Sequence, residues 1–152
     1  MKIALFGGTG FIGTYLVEEL LRAGHNPKVL VRPGSERKLL HQNKCDIVTG
    51  AVSDIDAVRD TISNTDGVIY NIGIIREFPR KKITFEEIHF KGARSCMNMA
   101  SELGVERFIL MSANGVKQNG TDYQKTKFLS EQYIKETDLE WTVFRPSLVF
   151  GN

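Results

Sequence analysis

An α/β fold built on a doubly wound parallel sheet is what the sequence predicts, and three observations carry that expectation. Short β-rich apolar runs alternate with longer amphipathic patterns from end to end. A glycine cluster sits between the first apolar run and the first helical pattern. The composition, 41% hydrophobic and 25% charged over 152 residues, is that of an ordinary globular domain with room for a full sheet. One domain spanning residues 1–152 is expected.

The runs read as strands are Lys2 to Phe6, Pro27 to Val31, Asp46 to Thr49, Gly67 to Asn71, Arg107 to Ser112 and Trp141 to Arg145. Between them Ile12, Leu16 and Leu20 recur at helical spacing. Similar patterns cover Asp54 to Ile62, Phe85 to Leu103 and Tyr123 to Lys135, so helices are expected in all five gaps. Right-handed crossovers then give the strand order 3-2-1-4-5-6, with ligands beyond the carboxyl ends of the strands where the order reverses, beside Gly7, Asn71 and Ser112. The segment Arg76-Glu77-Phe78-Pro79-Arg80-Lys81-Lys82 reads as a solvated loop after the fourth strand, with a contact to an anionic substrate as the alternative.

Composition also excludes function classes. A net charge of +2 argues against a nucleic-acid partner, and no stretch approaches the roughly 20 apolar residues of a membrane span. Gly7 and Gly8 end the first apolar run too early for a signal peptide, so a cytoplasmic protein is expected. Cys45 and Cys96 lie far apart, and His25, His41 and His89 form no ligand pattern, so reduced thiols and no metal are expected.

The segment Gly7-Gly8-Thr9-Gly10-Phe11-Ile12-Gly13 carries glycines at three-residue spacing between a strand and a helix. That context makes it a dinucleotide-binding fingerprint of the Rossmann type. Gly7 serves the turn, Gly10 lets a pyrophosphate approach the backbone, and Gly13 brings the helix close to the first strand. The helix N-terminus offers free N–H groups to the phosphates. The second strand ends Val31-Arg32-Pro33 where an acidic residue would mark NAD, so Arg32, helped by Arg37 and Lys38, points to NADP(H), with NAD(H) as the alternative should Arg32 stack on adenine.

The fingerprint, Val68-Ile69-Tyr70-Asn71-Ile72-Gly73, the Tyr123-x-x-x-Lys127 pair and the closing Arg145-Pro146-Ser147-Leu148-Val149-Phe150-Gly151 together resemble the extended and atypical short-chain dehydrogenase/reductase superfamily. Asn71-Ile72-Gly73-Ile74-Ile75, Ile88-His89-Phe90-Lys91-Gly92-Ala93-Arg94 and Ser112-Ala113-Asn114-Gly115-Val116 look most like the branch containing the NADPH-binding accessory subunit of respiratory complex I and its NAD-dependent epimerase/dehydratase-like bacterial relatives. The resemblance implies a nicotinamide cofactor bounded by Asn71, Ile72, Gly73 and Pro146. Where the family often has an aspartate after the third strand, this chain has Gly50-Ala51-Val52, so backbone contacts from Ala51 and Val52 are expected at the adenine. It also implies a following lobe that shapes the substrate pocket, truncated here.

Tyr123 and Lys127 stand one helical turn apart on one face. In the implied site Tyr123 exchanges the proton, its phenol brought down by the ammonium and the positive nicotinamide. Lys127 holds the nicotinamide ribose, and Ser112 bonds the substrate oxygen. His89, where many relatives carry a relay asparagine, is expected to pack between helices, with a proton relay as the alternative. Two functions follow: an NADP(H)-dependent oxidoreductase or sugar-nucleotide epimerase/dehydratase relative acting on an unidentified small molecule, or a non-catalytic nucleotide-holding module of the complex I or NmrA-like type. A protein partner or homo-oligomer is left open.

Overall fold

The computed structural model describes residues 1–151. Six parallel strands form one sheet in the order β3-β2-β1-β4-β5-β6, with β1 Lys2–Phe6, β2 Asn26–Val31, β3 Asp46–Thr49, β4 Gly67–Tyr70, β5 Arg107–Met111 and β6 Glu140–Phe144. The order reverses between β1 and β4, which pair from Ile3↔Gly67 to Phe6↔Tyr70. A cleft therefore opens past Phe6 and Tyr70.

The central strands are apolar on successive residues because both faces are covered. On one face Ala4, Phe6, Val68, Tyr70, Phe108 and Leu110 pack under α2 (Ile55–Ile62), α3 (Gly92–Glu102) and α4 (Asp122–Lys135). On the other, Ile3, Leu5, Val29, Val31 and Ile69 pack under α1 (Phe11–Arg22) through Val17, with Leu16, Leu20 and Leu21 alongside. Each fully buried Val, Leu or Phe among them contributes about 1.5–3 kcal/mol. Farther along the α1 face, Arg107 donates to Thr142 Oγ1 at 2.8 Å and Phe144 is 52% exposed.

Two connections depart from the expected helices. The β2–β3 gap holds no α-helix but two 3-10 turns, Glu36–Lys38 and Gln42–Lys44, with Leu39 tucked under the sheet between them. The span expected as one helix from Phe85 to Leu103 instead begins with a π-helical turn, Glu86–Lys91, before α3. The wider turn frees carbonyls, and side chains claim them. Tyr70 Oη donates to the Ile88 carbonyl at 2.5 Å, and Ser130 Oγ donates to that of His89. Gly92 makes room for this, since a Cβ there would stand 2.6 Å from Tyr70 Oη. Such π turns cluster at functional sites.

Candidate functional site

Gly7 follows β1 at φ +93°, where other residues are strained, and a Cβ on it would stand 3.0 Å from the Asn71 and Ile72 backbone. A Cβ on Gly13 would lie 2.0 Å from the Gly7 carbonyl oxygen, so only glycine lets α1 start this close to the turn. Gly10 differs. Its Cβ would meet nothing nearer than that same oxygen at 3.5 Å, so its open side faces the cleft. Gly10 is the N-cap of α1 and supplies no side-chain hydrogen bond, and the first turn carries no acidic residue. By contrast, Asp54 caps α2 and Thr121 with Gln124 caps α4. The first N–H groups of α1 thus lack intrahelical partners at the positive end of its dipole.

The cleft has a volume of about 550 Å³. Gly7, Thr9, Gly10, Phe11 and Ile12 form its floor, with Arg32, Gly50 and Val52 toward β2 and β3, and Asn71, Ile72 and Gly73 after β4. Ser112, Tyr123, Lys127 and Pro146 line the side toward β5 and α4. Of the residues expected at the cofactor, Gly8, Gly13 and Ala51 lie outside this lining. Gly8 and Gly13 serve packing, the Ala51 carbonyl accepts the Asp54 N–H at 2.9 Å, and Gly50 lines the cleft beside Val52. Arg37 and Lys38 belong to an exposed 3-10 turn and also lie outside it.

A capping box starts α4: the Thr121 N–H donates to Gln124 Oε1 at 2.9 Å, and the Gln124 N–H to Thr121 Oγ1 at 3.4 Å. Gln124 Nε2 also donates to the Gly115 carbonyl at 2.9 Å, which ties the helix to the loop after β5. This turns Tyr123 and Lys127 to the cleft. Lys127 is buried, its Nζ donates to the Met111 carbonyl at 3.0 Å, and burial pulls its pKa down to about 8 against the opposing influence of Glu131. Tyr123 does not show the expected depression: burial raises its phenol above the ordinary value. In the protein alone desolvation outweighs the nearby ammonium, so the positive nicotinamide is what remains to favour the phenolate.

His89, buried in the π turn, stacks on Phe85 and meets the Tyr123 ring edge-on, with centroids 5.1 Å apart. Its Nε2 accepts the Ile74 N–H at 3.0 Å, which assigns the ring proton to Nδ1, 3.3 Å from Thr126 Oγ1. Burial drives its pKa to about 3, so it stays neutral. Both nitrogens are used, and the helix-packing role holds.

Ser112, expected to bond the substrate oxygen, lines the cleft at the end of β5. Its Oγ is buried and makes no hydrogen bond of ordinary geometry, although the hydroxyl contributes to keeping the Glu131 carboxyl low. Sequence reasoning missed Glu131. It is 1% exposed, and burial would raise its pKa, but the bonds and charge of Arg145 keep it low. The available signal was its position one turn beyond Lys127 on the same face as Tyr123.

A glycine cradle open only at Gly10, an uncapped helix N-terminus and a cleft crossing the topological switch point together define a dinucleotide-binding site. Residues 7–150 match the NAD(P)H-binding family model, and the chain belongs to that family. It is 28% identical over 152 residues to the mitochondrial 40 kDa subunit of NADH-ubiquinone oxidoreductase from Neurospora crassa, covering 97% of this chain and 40% of that one. It is 27% identical over 150 residues to a ceramide reductase from Caulobacter vibrioides, covering 98% of this chain and 46% of that one. A Bacillus halodurans structure described as an NAD-dependent epimerase/dehydratase superimposes with a TM-score of 0.84 at 25% identity, over 97% of this chain and 70% of that one. The chain thus spans less than half the length of these two curated relatives. The likeness to the short-chain dehydrogenase/reductase superfamily, and to its complex I and epimerase/dehydratase-like branch, holds. Among the described residues no helix is long and apolar enough to cross a membrane.

Proposed function

We propose that this chain is the cofactor-binding part of an NADP(H)-dependent oxidoreductase that exchanges hydride with a small carbonyl or alcohol substrate. The observation that carries the reading is the meeting of Tyr123 and Lys127 with the glycine cradle in one cleft. When bound, the nicotinamide supplies or takes a hydride at C4. The N–H groups at the start of α1 would hold the pyrophosphate, and Arg32, exposed just after β2, would grip the adenosine 2′-phosphate. Lys127 leaves the Met111 carbonyl to hold the nicotinamide ribose hydroxyls, and Tyr123 Oη gives a proton to, or takes one from, the substrate oxygen. Ser112 reaches that oxygen by rotating its unpartnered hydroxyl outward. Two free thiols, Cys45 and Cys96, accord with a cytoplasmic setting.

The buried Ser112 hydroxyl favours a second reading, in which the chain holds the nucleotide without turning it over, as part of an assembly. Replacement of Tyr123 by phenylalanine separates the two. On the oxidoreductase reading, Tyr123→Phe leaves cofactor affinity within about twofold and cuts carbonyl reduction by a factor on the order of 100 or more. Turnover equal to wild type in that variant contradicts the role given to Tyr123. A wild-type protein that binds cofactor but reduces no carbonyl supports the holding module.

A further inference from the structure

Beyond the nucleotide, the substrate end of the cleft has a chemistry of its own. Ile74 is fixed by its N–H bond to His89, whose ring abuts Tyr123, so the wall that starts at Ile74 borders the proposed proton donor. Ile75, Ile83 and Ile88 continue it on that side, and Leu148 and Val149 face the cleft after Pro146. Ile83 is held in a small hairpin by reciprocal backbone bonds with Phe78. Ile75 is 93% exposed and Leu148 85% exposed, which leaves apolar surface for a ligand to cover.

Charge is sparse in the lining. Among the described residues, the cleft's cationic side chains are Arg32, at the adenosine end, and Lys127. Arg76, Arg80, Lys81 and Lys82 are exposed on the neighbouring loop but do not line the cleft, and Arg76 lies over the Phe78 ring at 5.5 Å. A sugar nucleotide would bring a second pyrophosphate to this end, where, among the described residues, the one cation of the lining is Lys127, already assigned to the ribose.

We infer that the substrate is an uncharged, predominantly apolar ketone or secondary alcohol, seated with its carbon chain against the Ile74–Ile75–Ile83–Ile88 wall and its oxygen at Tyr123. This rests on the proposed oxidoreductase reading and narrows it. In the reducing direction the carbonyl carbon gains a hydride from a reduced nicotinamide dinucleotide, which leaves oxidised. The carbonyl oxygen gains the Tyr123 phenolic proton, and the phenolate is reprotonated from solvent.

The test is calorimetric and needs no turnover. The whole chain is saturated with NADP+, which cannot reduce a ketone, and titrated with 2-octanone and separately with UDP-glucose. The same titrations are made on Ile75→Asp/Leu148→Asp, whose two positions are exposed enough to spare the fold. Binding of 2-octanone with no heat from UDP-glucose is expected. In the double variant the ketone affinity falls at least about tenfold, as for the loss of two buried methylenes, while NADP+ affinity is unchanged. NADP+ binding with no ketone binding, preferential binding of UDP-glucose, or ketone affinity indifferent to the double variant overturns this inference alone. Failure of NADP+ itself to bind overturns the reading beneath it, and this inference with it.

Discussion

Glu131 and Arg145 form a two-bond ion pair, Arg145 Nε to Oε1 at 2.9 Å and Nη2 to Oε2 at 2.6 Å. The carboxylate is buried in α4 and the guanidinium, just past β6, is half exposed. The pair closes the sheet edge against α4 and keeps a negative charge one helical turn from Lys127, whose pKa it supports. Removal of the cation alone strands a buried carboxylate. Arg145→Met should cost about 2–4 kcal/mol, less than for a wholly buried pair because Arg145 reaches solvent. Urea unfolding checks this, and the double variant Glu131→Gln/Arg145→Met should recover part of the loss, since the stranded carboxylate is gone, though Lys127 then loses the negative charge that supports it.

Lys127 should be a destabilising residue retained for binding. Its folded pKa lies at about 8, below the ordinary 10.5, so the unfolded chain binds the proton more tightly. Stability therefore rises as pH climbs from 8 to 10.5, and below 8 the whole penalty is present. Lys127→Met should raise the stability of the cofactor-free protein at pH 7 by about 2–3 kcal/mol and weaken cofactor binding at least tenfold. In wild type, cofactor affinity should fall as pH rises through 8, because Lys127 loses the proton it donates. Unfolding curves and dinucleotide titrations at pH 7 and 9 check both.

Cofactor choice should turn on Arg32. Wild type should prefer NADP(H) over NAD(H) by about 1.5–3 kcal/mol, roughly ten- to a hundredfold, with the preference shrinking as salt is added. Arg32→Ala should abolish it while leaving NAD(H) affinity nearly unchanged. Calorimetry with both cofactors at two ionic strengths gives the answer. Equal affinities in wild type place Arg32 on the adenine face or in solvent.

Much of this architecture is legible in the sequence because it is set by burial. Strands such as Val68-Ile69-Tyr70, apolar on both faces, are found within a residue of their observed ends, and the glycine turn announces itself by spacing. What escapes depends on contacts between distant segments. The β2–β3 crossover looks helical by analogy with its neighbours, yet it is held by Leu39 beneath the sheet rather than by an amphipathic face. The π turn is defined by Tyr70 of β4 and Ser130 of α4, whose hydroxyls donate to the carbonyls of Ile88 and His89 in the turn. Glu131 reads as a solvated helix charge until the fold brings Arg145 to it from 14 residues away. Ser112 stands at the right strand end, but the direction of its hydroxyl is a matter of packing.

The central claim, that the cleft holds a nicotinamide dinucleotide with its pyrophosphate on the α1 N-terminus, is tested most directly at Gly10. This glycine is in extended backbone, φ −86° and ψ 173°, and an added Cβ meets no clash, so Gly10→Val should fold with an unchanged circular dichroism spectrum and a modestly lowered melting temperature, valine being a poor N-cap. Its side chain would stand where the phosphates approach. Calorimetric titration of NADPH should give saturable binding to wild type and none to Gly10→Val. A folded Gly10→Val protein that binds NADPH as tightly as wild type would contradict the account.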